Sequence, residues 1–324
     1  MGGPALGQRA ARVRIIQPCG PSHRDDGAPL YIKRWLNRFP GVTCDRFPVT
    51  VPADQWGDYD AVVYVDWAQD AFNGLPPFVP DPAKRSVCWQ SDTHWKPEGW
   101  SYRMEQAVHY GTAAFAQRNA ADVLAKGPPP FRVEWMPHAA DHYVYYPAMR
   151  AKIEPPPKWE PDFGIFEEFM CEVIPRWDLC FVGYMQDPSR QERVERMFQA
   201  IPNFCFRPGV FFEEAAKVYH FSRVVFNPSA RGDLNMRTFE ALAARSFMLA
   251  DRQQGMDTLG LKNGEHCLIY DTMEEAIELA KEWSDPSKDR KRIEIADAGW
   301  RWCLANHTYW HRAKTILGWL GITT

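Results

Sequence analysis

The sequence predicts an α/β protein of two domains, each built on a parallel β-sheet with helices packed against it. Apolar stretches of strand length alternate with segments of helical periodicity through most of the chain, and this alternation is typical of parallel sheets wrapped by helices. A chain of 324 residues also has the length of about two ordinary domains. A proline-rich stretch, Glu154-Pro-Pro-Pro-Lys-Trp-Glu-Pro161, interrupts the alternation and indicates an interdomain linker.

The first predicted domain covers residues 1–146, which hold five candidate strands. Apolar runs of strand length lie at residues 13–18, 60–65, 85–89, 113–116 and 132–136, and a helix is predicted at 29–38. Each run ends in polar residues, glycine or proline. Because parallel sheets bind ligands where their strands end, we expect a functional site along these carboxyl ends.

The second predicted domain covers residues 176–305 and follows the linker at residues 147–175. Strands at 179–182, 222–226 and 247–250 alternate with helices at 190–200, 236–244, 273–283 and 286–305, the last with Asp285 as its N-cap. A further helix is predicted at 308–320. This order predicts two Rossmann-like domains with a cleft between them.

Charge and composition disfavour several classes of protein. The net charge is -3 and the pI is about 6.3, so no global positive field attracts nucleic acid, although a local basic patch stays open. The eight cysteines form no Cys-x-x-Cys pair, which predicts free thiols in a reducing cytosol. No apolar run approaches 18 residues and no signal sequence is recognisable, so we expect a cytoplasmic protein without a membrane span.

Aromatic residues are abundant, with 14 Trp, 19 Phe and 12 Tyr. Large aromatic side chains usually pack in cores. They also provide flat apolar faces on which sugar rings or bases stack. The sequence leaves both interpretations open.

The densest polar segment, residues 227–240, lies between a predicted strand and a predicted helix. Backbone N–H groups at a helix N-terminus form an anion site with the help of the helix dipole. Arg231 and Arg237 add donors for phosphate oxygens, and Glu240, about one turn into the helix, is placed for ribose hydroxyls. The segment suits a nucleoside diphosphate, although an ordinary helix with Asp233 or Asn235 as its N-cap explains the same pattern.

Three stretches resemble the donor-binding domain of GT-B glycosyltransferases, in particular the group similar to the spore-maturation protein CgeB, with a glycosyltransferase family 1-type C-terminal domain. They are Phe181-Val-Gly183, Asn235-Met-Arg-Thr-Phe-Glu-Ala-Leu-Ala243, and Ala298-Gly-Trp with His307-Thr-Tyr-Trp-His-Arg312. Ser91-Asp-Thr-His94 and Trp135-Met-Pro-His-Ala-Ala-Asp141 are similar more loosely.

The resemblance implies a GT-B fold of two facing domains, in which a C-terminal helix within residues 306–324 crosses back to the first domain. It also implies a hexosyltransferase that takes its sugar from a nucleotide donor, for which we expect a UDP-sugar. No permanently bound cofactor is implied. No metal is needed either, because the helix dipole and arginines neutralise the leaving diphosphate.

By resemblance, the donor site consists of Gly183, Ser229, Arg231, Asn235, Arg237 and Glu240. Glu240 is expected to bind the ribose, and Asn235 with Arg237 the pyrophosphate region. Gly183 is expected to let its loop approach the donor phosphates. His138, near the hinge, is either a phosphate contact or a buried structural histidine.

Two positions depart from the family pattern. Retaining GT-B enzymes commonly have a glutamate eight residues before the ribose-binding glutamate, but this chain has Gly232 there, and Asp233 is one position late. Inverting or retaining stereochemistry therefore stays open. Arg245 stands where relatives tend to have glycine, so we expect different local packing after the Ala-Leu-Ala helix.

An inverting transferase needs a base beside the acceptor hydroxyl, and in this fold the first domain supplies it. Asp92 and His94 follow the predicted strand at 85–89, at its carboxyl end. We expect Asp92 to be the base, or His94 to be the base oriented by Asp92. A helix cap and an ordinary loop histidine would give the same pattern. Asp66 is the next candidate.

Several alternatives stay open. The acceptor is a polysaccharide, a protein or a hydroxymethylated base of phage DNA, and the oligomeric state is not indicated. A UDP-sugar epimerase of the same architecture, or a non-catalytic nucleotide-sugar-binding module, fits the same sequence.

His138/His142 and Cys303/His307/His311 have helical i, i+4 spacing, but no fourth ligand is near in sequence, so no metal site is predicted.

Overall fold

The computed structural model describes residues 12–19, 27–48, 51, 53–65, 84–90, 111–116, 118, 132–146 and 175–323. The chain divides into two compact units. Unit 1 comprises Met1–Met136 and Arg312–Thr324, and unit 2 comprises Pro137–His311. Each unit contains its own parallel sheet, so the α/β fold class that the alternating pattern predicts is confirmed.

Unit 1 is built on a six-stranded parallel sheet with the strand order β2-β1-β3-β4-β5-β6. Its elements are β1 (Val13–Cys19), α1 (Ala28–Leu36), β2 (Val42–Pro48), a 3₁₀ helix (Ala53–Trp56), β3 (Ala61–Val65), β4 (Arg85–Gln90), β5 (Thr112–Phe115) and β6 (Arg132–Trp135). All five residues of β3, in the interior of the sheet, are buried. A parallel strand that is covered on both faces needs apolar side chains at every position.

The C-terminal residues of the chain pack within unit 1. Arg85 Nη1 donates to the carbonyl oxygens of Leu320 (2.5 Å) and Gly321 (3.3 Å), and the Arg132 guanidinium lies 6.0 Å from the ring centroid of Trp319. Gly321 has a φ of 65°, a left-handed conformation that glycine adopts without strain at the end of a helix. These contacts attach the end of the chain to β4 and β6.

Unit 2 is built on a five-stranded parallel sheet with the strand order β11-β10-β9-β7-β8. Its elements are β7 (Trp177–Val182), α2 (Pro188–Ala200), β8 (Phe204–Arg207), α3 (Phe212–His220), β9 (Ser222–Asn227), α4 (Met236–Ala243), β10 (Met248–Asp251), α5 (Met256–Leu259), β11 (Leu268–Tyr270), α6 (Met273–Ser284) and α7 (Asp289–Asn306). The last helix, α8 (Tyr309–Trp319), begins in unit 2 and belongs to unit 1 from Arg312 onward. Apolar side chains from the central strands, among them Phe181, Phe226 and Leu249, fill its core. None of the helices in the described part of the chain is long and apolar enough to cross a membrane.

The segment 137–146 differs from its sequence prediction, which places it at the end of the first domain. The structure groups it with unit 2. Ala140 forms a β-bridge with Thr308, donates its N–H to the carbonyl of His307 (3.0 Å) and accepts from the N–H of Tyr309 (3.0 Å). These bonds join residues that are far apart in sequence, which no local pattern reveals. The predicted linker at 147–175 lies outside the described residues except for its last position.

Candidate functional site

Two helices of unit 2 begin at the carboxyl end of its sheet, after β7 and β9. Asp187 caps α2 by accepting the amide hydrogen of Arg190 at 2.9 Å, and Asn235 caps α4 by accepting that of Thr238 at 3.2 Å. Short polar side chains of this kind favour a helix start. The positive ends of both helix dipoles, with their unused first-turn N–H groups, therefore lie at this edge.

Arg237 and Gly183 meet at this edge, as expected for two residues of one site. Arg237 Nη1 donates to Asn227 Oδ1 at 2.9 Å, and its guanidinium lies 4.5 Å from the ring centroid of Phe181. A Cβ atom at Gly183 would collide with Arg237 Nη2, and Gly183 has a φ of 144°, which side chains rarely allow. Glycine is therefore needed here to admit the arginine.

A buried polar network orients Arg237. Asn227 Nδ2 donates to Thr238 Oγ1 at 2.9 Å, and that hydroxyl donates to Gln253 Oε1 at 2.8 Å. All three side chains are buried, and the chain of donors leaves Asn227 Oδ1 to accept from Arg237. No motif in the sequence predicts this network, although a polar residue that ends an apolar strand, as Asn227 does, is a signal for it.

Arg190, in the first turn of α2, is a second cation that the sequence analysis missed. Its Nε donates to the carbonyl of Pro228 at 3.1 Å and its Nη1 to that of Tyr184 at 3.4 Å. Burial, together with the positive charge of Arg237, lowers the pKa of Arg190 to about 10. The Asp233 and Asp187 carboxylates offset part of this shift. Because the two guanidinium groups bond to the adjacent residues Asn227 and Pro228, an anion bound beside them would reduce their repulsion.

Arg231 lies at the tip of the loop between β9 and α4. Asp233 N–H donates to the carbonyl of Ala230 at 3.1 Å, and Arg231 and Gly232 have φ values of 55° and 76°, so residues 230–233 form a type I′ turn. The left-handed conformation costs a non-glycine residue about 1–2 kcal/mol. The Arg231 side chain is 54% exposed and its Nε lies 3.9 Å from Asp187 Oδ2.

Ser229, predicted to be a neighbour of the donor, is fully buried. Its N–H and Oγ both donate to the carboxylate of Asp251, at 2.9 and 2.6 Å, and its carbonyl accepts from Arg193 Nη2. Its N–H, hydroxyl and carbonyl groups are thus all bonded to protein groups. Ser229 therefore lies in the interior of the loop, and its contact with the donor stays a prediction.

Glu240, one turn into α4, is 8% exposed. Burial raises the pKa of its carboxyl group to about 7, although a hydrogen bond from the Tyr145 hydroxyl and the charge of Arg237 favour the ionised form. Tyr145 comes from the segment 137–146, and its ring centroid lies 6.3 Å from that of Tyr219. Glu240 therefore lies in a buried aromatic and cationic environment and changes charge near neutral pH.

Gly232 stands at the position where the family pattern has its first glutamate, and Asp233 follows it. The two residues have different surroundings. Gly232 has a φ of 76°, and an added Cβ would meet no atom within 4 Å. The Asp233 carboxylate is buried, accepts the N–H of Ala230 at 2.8 Å, and has a pKa that burial raises to about 6. Asp233 therefore closes the turn, and of the two predicted N-caps it is Asn235 that caps α4.

The other predicted site residues lie in different parts of the chain. Asp92 and His94, the predicted base pair, and Asp66 lie outside the described residues. His138 is buried on the segment that leads to the bridge between Ala140 and Thr308. Within the described ranges, no three or more His, Cys, Asp or Glu side chains are grouped so that they could hold a metal ion.

The motif that begins at His307 supports α4. The His307 ring centroid lies 4.3 Å from that of Trp302 and 5.5 Å from that of Phe239 on α4, and Tyr309 Oη donates to Met236 Sδ at 3.3 Å. Met236 is the first residue of α4. The motif therefore braces the helix whose N-terminus carries Asn235.

Comparison with known proteins shows which family and which folds this chain resembles. Residues 166–318, which include both arginines and Glu240, match the family model described as glycosyl transferase-like. None of the curated proteins matches the sequence. Sucrose-phosphate synthase from Thermosynechococcus elongatus is similar in structure, with a TM-score of 0.62 at 11% identity over 96% of this chain and 98% of that chain.

HepE from Anabaena, in complex with UDP and glucose, has a TM-score of 0.64 at 10% identity, over 95% of this chain and 99% of that chain. Identities this low establish the fold alone, and the fold is GT-B. With the family match, it confirms the resemblance to GT-B glycosyltransferases that the motifs indicate. The narrower CgeB-like assignment stays a prediction.

Proposed function

We propose that the protein is a glycosyltransferase that moves a hexose-type sugar from a UDP-sugar to an acceptor hydroxyl. Unit 2 binds the donor at the carboxyl edge of its sheet. The observation that carries the proposal is the pair Arg190 and Arg237, two partly buried guanidinium groups of like charge beside the N-termini of α2 and α4. A diphosphate neutralises such a pair and accepts their hydrogen bonds. The UDP and glucose in the HepE structure support a donor of this class.

The two arginines act on the leaving group. When the bond between the sugar and the β-phosphate breaks, negative charge develops on the diphosphate. Donors already held at that position stabilise the charge without reorganising, and each hydrogen bond to a charged group contributes about 1.5–3 kcal/mol. Asn235 Nδ2, which is buried and has no partner among the described residues, is a further donor for a phosphate oxygen. The proposal therefore includes no metal ion.

Glu240 binds the donor ribose in this proposal. It follows Arg237 by three residues on α4, so both side chains lie on one face of the helix. The Tyr145 hydroxyl donates to the carboxyl group and leaves further lone pairs for two ribose hydroxyls. An ionised carboxylate accepts at all of its lone pairs, whereas a protonated one does not.

The acceptor side of the proposal rests on the sequence. Asp92, or His94 oriented by Asp92, removes the proton of the acceptor hydroxyl, because both come shortly after β4 in the sequence. The acceptor is a polysaccharide, a protein or hydroxymethylated DNA. The near-neutral net charge gives no general advantage to DNA.

Titration calorimetry with UDP tests the donor site. Arg237→Ala is expected to weaken UDP binding about 10- to 100-fold, as the loss of one or two charge-assisted hydrogen bonds requires. Arg252→Ala is the matched control, since Arg252 is also a cation near the end of β10 but pairs with Asp271 on the exposed surface. The control is expected to bind like the wild type. A wild-type protein without affinity for any nucleoside diphosphate would contradict the proposal.

Turnover distinguishes the enzyme from its alternatives. A thermal-shift screen of nucleotide sugars identifies the donor, because a ligand that binds only the native state raises its stability. Asp92→Asn is expected to abolish transfer and to retain donor binding. An isomeric UDP-sugar formed without acceptor would indicate an epimerase, and donor binding without any turnover would indicate a binding module.

A further inference from the structure

Asp251, the last residue of β10, binds three different parts of unit 2. Its carboxylate accepts from Ser229 N–H (2.9 Å), Ser229 Oγ (2.6 Å), Arg193 Nη1 (2.7 Å) and Gln253 Nε2 (3.2 Å). The Asp251 and Arg193 side chains are both largely buried. An ionised carboxylate with four donors is strongly held in place.

Ser229 transmits this anchoring to the loop tip. Its Oγ donates to Asp251 and accepts from the N–H of Gly232 at 3.0 Å, while its carbonyl accepts from Arg193. Arg193, Asp251, Ser229 and Gly232 thus form one continuous chain of hydrogen bonds. We call these four residues the loop anchor.

The loop anchor holds the turn at residues 230–233, whose conformation is not the one that its own residues favour. Type I′ turns prefer Asn-Gly at their central positions, but this turn has Arg231 followed by Gly232, with Arg231 in the left-handed region at a φ of 55°. A strained conformation of this kind persists only where the surrounding structure enforces it. The Arg231 side chain is half exposed, so its own packing does little to offset the backbone strain.

We propose that Asp251 is a positioning residue of the donor site: through Arg193, Ser229 and Gly232 it holds Arg231 in the strained conformation that meets the donor diphosphate. Asp251 itself does not touch the donor, since its carboxylate is occupied by protein donors. The inference rests on the proposed function, because it assigns the turn to a nucleotide-sugar site.

A double-mutant cycle on UDP affinity tests the inference. Asp251→Asn keeps the shape of the side chain but removes its charge and one acceptor oxygen. Asp251→Asn and Arg231→Ala are each expected to weaken UDP binding about fivefold or more. In both variants the diphosphate loses its hydrogen bond from the Arg231 guanidinium. The double variant is expected to bind no more weakly than Arg231→Ala, because Asp251 acts through Arg231. Effects that multiply would overturn the inference, and so would an unchanged affinity of Asp251→Asn.

Controls separate positioning from loss of fold. Asp271→Asn removes an exposed carboxylate that pairs with Arg252 and is expected to leave UDP binding unchanged. Arg231→Asn suits the left-handed turn and is expected to raise the melting temperature while UDP affinity falls; a rise without that fall would overturn the inference. UDP binding by the wild type with an unaffected Asp251→Asn contradicts the inference alone. No nucleotide binding by the wild type contradicts the proposed function as well.

Discussion

Gly183 and Arg237 share one small volume, so neither can change without affecting the other. A methyl group at Gly183 collides with the Arg237 guanidinium. We therefore expect Gly183→Ala to reduce UDP affinity about as much as Arg237→Ala, since the arginine must leave its position over Phe181. The backbone strain at a φ of 144° adds a cost of about 1–3 kcal/mol to folding. Calorimetry with UDP and urea unfolding measure the two effects.

Gly264 provides the matched control for Gly183. It also has a positive φ, 76°, but an added Cβ would meet no atom within 4 Å. Gly264→Ala is expected to lower stability through the backbone alone and to leave UDP binding unchanged. Normal UDP binding by Gly183→Ala would show that the arginine does not depend on the glycine.

The raised pKa of Glu240 makes stability depend on pH. In the folded protein the carboxyl group has a pKa of about 7 against an ordinary 4.5, so the folded state holds the proton more tightly than the unfolded state. The free energy of unfolding therefore falls as pH rises from about 4.5 to 7. The full effect is about 3 kcal/mol, from 1.36 kcal/mol for each pKa unit.

Glu240→Gln removes this titration and keeps an oxygen that accepts from Tyr145. We expect the variant to be more stable than the wild type at pH 8, and the difference to shrink to less than about 1 kcal/mol at pH 5 and to vanish below about pH 4.5, as measured by urea unfolding. Glu278→Gln, which changes an exposed carboxylate, is expected to show no such trend. A difference between Glu240→Gln and the wild type that is equal at both pH values would contradict the assignment.

Individual site residues were predictable to different degrees. Asn235, Arg237, Glu240 and Gly183 belong to motifs that are continuous in sequence, and the structure places them on α4 or beside it. Arg190 belongs to no such motif. It lies near Arg237 because Arg190 bonds to Pro228 and Arg237 to Asn227, and this arrangement arises only when the sheet is assembled.

At the scale of elements, α4 ends in an unusual way. Arg245 and Ser246 donate their N–H groups to the carbonyls of Leu242 (2.9 Å) and Ala241 (3.0 Å), which is a Schellman motif. Arg245 occupies the position that favours glycine and has a φ of 54°. Its guanidinium pairs with Asp297 on α7 at 2.9 Å. We expected the packing after α4 to differ because Arg245 replaces glycine. In the structure this difference is an ion pair between Arg245 and Asp297 on α7.

Two substitutions at Arg245 separate strain from pairing. Both Arg245→Gly and Arg245→Ala remove the ion pair, but only alanine retains the strain of a positive φ. We expect Arg245→Ala to be less stable than the wild type, and Arg245→Gly to be more stable than Arg245→Ala by about 1 kcal/mol. Urea unfolding measures the difference. Equal stabilities of the two variants would show that position 245 relaxes away from the left-handed region.

Strands at the interior of each sheet were predictable from the sequence, and most edge strands were not. The predicted runs at 60–65, 179–182 and 222–226 correspond to interior strands of the two sheets. Three strands lack a prediction: β2, β8 and β11, each at the edge of its sheet. An edge strand has a neighbour on one side only and needs fewer apolar residues, so its sequence contrasts less with a loop.

At the scale of the whole molecule, packing in the core explains many of the aromatic residues in the part of the chain that the structure describes. The largest fully buried side chains among the described residues are mostly aromatic, including Trp56, Trp89, Tyr219 and Phe239. Large apolar side chains that are exposed in the described part of the chain are Tyr184, Phe198 and Phe211. Core packing therefore accounts for most of the described aromatic residues.

The sequence by itself determined the α/β class, the resemblance to GT-B glycosyltransferases and the helix that carries Asn235, Arg237 and Glu240. These features follow from local periodicity and from motifs that are continuous along the chain. Only the tertiary structure decided that Ser229 lies in the loop interior and that Arg190 approaches Arg237. It also decided that Ala140 pairs with Thr308 and that residues 137–146 belong to unit 2. Each of these depends on contacts between residues that are distant in sequence, which form only when the sheet brings its strand ends together.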